Sequence, residues 1–280
     1  MHTVLRHPTP HQREVLSELA SISQASVVMS RSAANLLIQE YDADPERLHV
    51  IPHGVPTVAL VESNAVKPSL GLAERNVILS FGLVGPGKGY ELAIEALPAI
   101  VAKHPSVLYV ILGATHPELI RREGEAYRNS LIALVDRLSM ADHVLFVDRF
   151  VAMPELTRWL QAADVFVTPY PNLGQIVSGT MSYAMGAGRA IVSTPYTYAK
   201  ELLAGGRGLL VPSGSAAKLA AAIGSLFADP ELRARIGGRA FEYSRRMLWP
   251  AVGAEYRELF ARLVRETKPA RATNQILVRA

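Results

Sequence analysis

Short runs of β-branched and aliphatic residues alternate along this chain with longer stretches in which apolar positions recur every three or four residues. The short runs predict strands at 3–5, 26–30, 48–52, 76–82, 107–113, 144–147, 165–170, 190–194 and 208–211. The longer periods predict helices at 12–23, 31–41, 89–103, 124–138, 153–162, 179–186, 199–204, 216–227, 230–246 and 250–265. Strands that alternate with helices belong to a parallel sheet with helices on both faces. Continuous apolar runs such as VFVTPY at 165–170 suit strands covered on both sides. The expected fold class is α/β, of the doubly wound, Rossmann-like kind.

The pattern breaks once. Residues 56–72 (PTVALVESNAVKPSLGL) are loose and mixed, and apolar alternation restarts at Asn76. That places a partial N-terminal Rossmann-like unit at 1–57 and a complete six-stranded one at 58–249. A helix at 250–266 has no strand after it and is long enough to return to the first unit, and 267–280 reads as a frayed tail. Three strands and two helices are thin for a covered core, so the first unit is expected to be the remainder of a domain whose first strands lie elsewhere. An unpaired sheet edge there would favour self-association.

Composition narrows the ligand. Hydrophobic residues make up 49% and the net charge is +4, with basic residues scattered apart from Arg121-Arg122 and Arg245-Arg246. Without a basic stripe interleaved with aromatics, nucleic acid is a poor partner, and a small anionic ligand fits. The absence of cysteine excludes disulfides and thiolate metal sites and agrees with a reducing cytoplasm. No apolar run has the length of a membrane span, which leaves peripheral contact with a membrane open.

The chemistry concentrates between Val165 and Glu201. A strand stops at Pro171, a polar loop follows, Ser178-Gly179-Thr180 opens an apolar helix, and a second strand leads to Glu201. A small-residue helix start at the carboxyl ends of parallel strands offers free N–H groups and a positive dipole end to a phosphate. A nucleophilic role for Ser178 is disfavoured, since no G-x-S-x-G elbow surrounds it. The stretch from Gly82 to Gly89, with Gly87 and Lys88 inside it, opens another helix after a strand. It reads as a diphosphate loop in preference to a plain turn with a solvent lysine, although it is not a Walker motif. Glu201 reads equally as a helix-dipole carboxylate and Arg149 as half of a surface ion pair. His53, His116 and His143 read as structural. His2, taken alone, says little.

Several segments together resemble one family. SVVMSRSAANLLIQEYDADPERLHVIPHGV is similar to a strand–helix–strand ending in "IPNGV". ILSFGLVGPGKGYELAIEAL resembles "GRLxxxKG", LQAADVFVTPY resembles "ADVFVxPS", GAGRAIVSTPYTYAKELL resembles "AxGxPVVATxxGGxxEL", and GRGLLVP resembles "GxGxLVP". These are segments of the retaining GT-B glycosyltransferases of family 4 (glycosyl transferases group 1), and the likeness covers roughly residues 2–260. It implies a GT-B architecture: a complete donor domain plus part of the acceptor-side domain. It implies a nucleotide-sugar donor, a glycan, lipid or small-molecule hydroxyl acceptor, no protein nucleophile and neither cofactor nor metal. Carried over, Lys88 and the amides of Ser178, Gly179 and Thr180 would hold the leaving diphosphate, and Gly82, Gly87 and Glu201 would line the donor. His2 would match the family histidine beside the donor sugar.

Three departures stand out. Leu83 replaces an arginine of the family, and Gln175 and Tyr183 replace its two glutamates with the same seven-residue spacing. Gln175 could still hydrogen-bond sugar hydroxyls, Tyr183 could meet the ribose, and Arg149 is the candidate for the missing charge. The expected activity is sugar transfer with retention in the cytoplasm, at most peripheral at the inner face of the membrane. The 280-residue chain alone is expected to lack it, because much of the acceptor side is absent. The alternatives are a non-catalytic nucleotide-sugar-binding module and, more distantly, a GT-B phosphorylase or sugar-nucleotide epimerase.

Overall fold

The computed structural model describes residues 1–267. The chain begins with α1 (Pro10–Ile22), β1 (Ser26–Val28), α2 (Arg31–Tyr41) and β2 (Leu48–Val50). Thr9 and Gln12 close the start of α1 as a capping box, each side chain taking the other's backbone N–H. β1 and β2 pair in parallel as a two-stranded sheet, with α2 as their crossover. Val28, Leu37 and Tyr41 form the centre of this small core.

After the short α3 (Ser63–Val66), the elements are β3 (Asn76–Phe81), α4 (Tyr90–Val101), β4 (Val107–Leu112), α5 (Pro117–Glu123), α6 (Ala126–Arg137), β5 (Val144–Val147), α7 (Met153–Ala162), β6 (Val165–Thr168), α8 (Gly179–Gly186), β7 (Ala190–Ser193), α9 (Thr197–Leu202), β8 (Leu209–Leu210), α10 (Ala216–Ala228), α11 (Pro230–Ser244) and α12 (Trp249–Thr267). Strands β3 to β8 form one all-parallel sheet in the order β5-β4-β3-β6-β7-β8. The winding direction reverses between β3 and β6, and ligands of open α/β sheets bind outside the strand ends at such a point. One face is covered by α4, α6 and α10 through Ile94, Leu97, Leu131, Leu219 and Ile223. The other face lies under α7, α8 and α9 through Trp159, Met181, Met185 and Leu202. The α/β, doubly wound architecture is as expected.

Residues 3–5 are not a strand. The amino group of Met1 donates to the Val27 carbonyl, and the Tyr41 hydroxyl holds Leu5, accepting from its N–H at 3.1 Å and donating to its carbonyl at 2.8 Å. The apolar side chain of Val4 is buried, so a hydrophobic run fills the core here without a ladder. Helix α5 escapes the sequence pattern because it has no buried residue and therefore no apolar stripe to read. The expected helix at 124–138 begins only at Ala126, after Gly124 turns the chain.

The loose segment hides a polar lock. Lys67 is buried and pairs with Asp164 at 2.7 Å. Asp164 also accepts from Ser63 Oγ at 2.5 Å and from the Val77 N–H at 2.7 Å. Beside it, the buried Arg189 guanidinium donates to the carbonyls of Val61, Gln161, Ala163 and Ala187. At the far end of the chain, α12 buries Val252 and Leu259 against Ile51, with Ala25 and Val27 alongside. Val55 and Leu248 run side by side, joined by Val55 N–H to Met247 O at 2.7 Å and Trp249 N–H to Val55 O at 3.0 Å.

Candidate functional site

At the switch point, the carboxyl ends of β3 and β6 meet the start of α8. Ser178 is its N-cap, and its Oγ accepts the Met181 N–H at 3.3 Å. The amides of Gly179 and Thr180 precede that bond in the first turn, where a helix offers its N–H groups no carbonyl of its own. Tyr170, just past β6, reaches Thr180 Oγ1 at 3.0 Å, and Thr180 Oγ1 lies 3.2 Å from Ser178 Oγ. From β3, Gly82 comes within van der Waals reach of the Thr180 methyl, 3.4 Å from where a Cβ would sit. Gly87 has φ +85° and nothing within 4 Å of an added Cβ, so its left-handed turn faces open space. Lys88 then places Nζ 4.7 Å above the Tyr170 ring. The fold thus brings Gly82, Lys88, Ser178, Gly179 and Thr180 to one place. Burial pushes the Tyr196 phenol, stacked 5.2 Å from Tyr170, to a higher pKa, so it stays a neutral wall.

A residue read as structural completes this group. His53 follows β2 and lies directly on Gly179: its Nε2 would be 2.8 Å from a Cβ at that position. Its Nδ1 is 2.8 Å from the Gly54 carbonyl. A carbonyl can only accept, so Nδ1 carries a proton and Nε2 faces α8. The ring meets Tyr183 edge-on at 5.8 Å and Trp249 at 6.2 Å. Burial lowers its pKa, the Gly54 carbonyl opposes this, and His2 lowers it further. His2 thus interacts with His53 only through charge, and it lies exposed on an irregular segment and not on a strand. The signal in the sequence was a histidine in "IPHGV" where the family pattern reads asparagine. Tyr183 also lies 6.2 Å from the Phe81 ring, on the face of α8 turned toward β3. Gln175 turns inward, its Nε2 donating to the Val177 carbonyl at 2.8 Å.

Two expected donor residues are engaged with other partners. Glu201 accepts the N–H groups of Arg31 and Ser32 at 2.9 Å and the Ser32 hydroxyl at 2.7 Å. Both oxygens are thereby committed to the N-terminus of α2, whose dipole a carboxylate stabilises. Arg149 pairs through both terminal nitrogens with Glu155 on the surface, one bond at 2.8 Å. That pairing raises the guanidinium's pKa and lowers the carboxylate's. Arg149 thus has a carboxylate partner of its own, and Leu83 at the family's arginine position is exposed. Among the described residues no cluster of three or more His, Asp or Glu could hold a metal, and no helix is long and apolar enough to cross a membrane.

The model of the glycosyl transferases group 1 family matches residues 75–229, more than half of the chain. The chain belongs to this family, and its fold is that of the GT-B glycosyltransferases. It is 28% identical over 284 residues to a D-inositol 3-phosphate glycosyltransferase of Kineococcus radiotolerans, covering 95% of this chain and 64% of that protein. It is 27% identical to a phosphatidyl-myo-inositol mannosyltransferase of Mycolicibacterium smegmatis, over 75% of this chain and 50% of that protein. The chain therefore spans less than two thirds of the length of these relatives. The crystal structure of Anabaena HepE in complex with UDP superposes with a TM-score of 0.80 at 21% identity, over 94% of this chain and 71% of that one.

Proposed function

We propose that this chain carries the donor-binding part of a glycosyltransferase. The reaction moves a hexose-type unit from a nucleoside diphosphate sugar to a hydroxyl of a glycan, lipid or small molecule, with retention at the anomeric carbon. The observation that carries the reading is the convergence of Lys88 with the first turn of α8 at the switch point of the sheet. Cleaving the sugar–phosphate bond leaves negative charge on the departing diphosphate. Fixed donors aimed at that charge act in the transition state more than in the ground state. Lys88 supplies a full charge and the amides of Gly179 and Thr180 supply oriented dipoles. His2 and Gln175 belong on the sugar side. No step requires a protein nucleophile or a metal. HepE, which shares the fold, has been crystallised with UDP-glucose, which supports a nucleotide sugar as ligand. The cysteine-free composition suits a reaction in a reducing cytoplasm.

Calorimetric titration with UDP-glucose, GDP-mannose and other nucleotide sugars tests the reading. One of them binds the wild type, and Lys88→Ala weakens that binding by roughly 10- to 100-fold, the value of one charge-assisted contact. Equal binding by Lys88→Ala, or no binding of any nucleotide sugar, overturns it. One observation favours a binding module without turnover: a neutral amide, Gln175, stands where the family carries a glutamate and is bonded to Val177. Binding without detectable transfer or donor hydrolysis would select that second reading.

A further inference from the structure

We infer that His53 is a proton-linked donor residue: its imidazole takes up a proton as the donor's diphosphate settles on α8, supplying a second positive charge. The inference rests on the donor reading above.

The geometry comes first. His53 is fixed at both ends, by the Nδ1 bond to Gly54 O at 2.8 Å and by its packing on Gly179, Tyr183 and Trp249. Two side-chain-free positions make the arrangement possible. A Cβ on Gly179 would meet the imidazole, and a Cβ on Gly54 would sit 2.1 Å from the Trp249 ring. The only ring nitrogen without a fixed proton, Nε2, is thereby held against the turn proposed to receive the phosphates.

The charge balance comes second. The diphosphate of a nucleotide sugar carries two negative charges. Lys88 is the cation the fold places there, since Arg149 is bound to Glu155 and position 83 is a leucine. The titratable groups facing His53 are His2 from the N-terminal segment and Tyr183 from α8, and α12 contributes only the Trp249 indole. No carboxylate is among them, the Gly54 carbonyl is the one group that favours the imidazolium, and burial outweighs it and lowers the His53 pKa. An anion at a few ångströms reverses this balance. The step is one proton from solvent added to the Nε2 lone pair, and no covalent bond to the ligand forms or breaks.

Nucleotide sugars are suitable probes because their diphosphate does not titrate near neutrality. Calorimetry of the tightest-binding one, at pH 7 in buffers of different ionisation enthalpy, reads the protons taken up. The expected result is an uptake of roughly 0.3–0.9 proton per ligand, with affinity falling as pH rises from 6 to 8. In His53→Asn the ligand still binds and the uptake disappears. In wild-type protein, the His53 Cε1 NMR resonance titrates at higher pH with ligand than without, a readout that needs no variant. Binding with no proton uptake, an unshifted His53 resonance, or uptake kept in His53→Asn and lost in His2→Asn would each overturn the role of His53 alone. Failure of every nucleotide sugar to bind would overturn the donor reading itself.

Discussion

Glu201 and Arg149 show how little a charged residue's sequence neighbourhood says about its partner. Glu201 closes α2, a helix 170 positions earlier in the chain, and no local spacing encodes that contact. Arg149 meets Glu155 six residues on, across the turn from β5 into α7, a pair the sequence offered as one of two readings. Lys88 and the Ser178–Thr180 start were legible because each sits beside a strand end, and strand ends in a parallel sheet converge. The place of His53 on α8 was not, since it depends on which loop of the N-terminal unit crosses that helix. Glu201→Ala is expected to cost about 1–2 kcal/mol of stability in urea titration, as for a lost helix cap, with nucleotide-sugar affinity changed by less than about twofold. Arg149→Ala is expected to leave that affinity equally unchanged. A tenfold loss of affinity in either folded variant would return that residue to the donor site.

Elements were legible in proportion to the apolar surface they bury. The four central strands of the large sheet, β4, β3, β6 and β7, are covered on both faces and read as continuous apolar runs, and the half-buried edge strand β5 still falls on its expected bounds. Helices α2, α7 and α8 also fall on theirs. Helix α5 buries nothing and left no trace, whereas Val4 is buried without belonging to any strand. The junction of α12 with the loop after β2 turns on Gly54, whose added Cβ would sit 2.1 Å from Trp249 Cε3. Gly54→Ala is expected to destabilise by about 1–3 kcal/mol, the usual cost of overpacking. The melting temperature should fall accordingly, and Trp249→Leu in the same chain should restore part of it. An unchanged melting temperature would mean that α12 does not rest on this turn.

For the whole molecule, the segment 56–72 looked featureless because the polar lock and the core that order it lie elsewhere in the chain. Lys67 and Asp164 are buried together, 97 positions apart, with Ser63 and the Val77 N–H completing the carboxylate's hydrogen bonds. Removing one member of such a pair strands the other, so Lys67→Ala is expected to cost about 3–5 kcal/mol in urea denaturation, and Lys67→Ala with Asp164→Ala less than the sum. Additive losses would show that the pair is not coupled. The architecture was legible from alternation and the family pattern, because both follow from local periodicity. The seam between the two sheets was not, because it is made of contacts far apart in sequence: Ser30 Oγ to Ile176 O, Glu201 to α2, and α12 on Ile51.

Val55 and Leu248 give that seam its mechanics. The polypeptide crosses between the sheets twice, and the two crossings lie side by side, stitched by hydrogen bonds on both sides of Leu248. A single strand would act as a swivel, free to twist in any direction. Two stitched strands act as a flat strap, stiff to torsion and soft only to folding about its width. With His53 two residues from the strap and Trp249 beside it, the imidazole's place on α8 is tied to this pair of crossings.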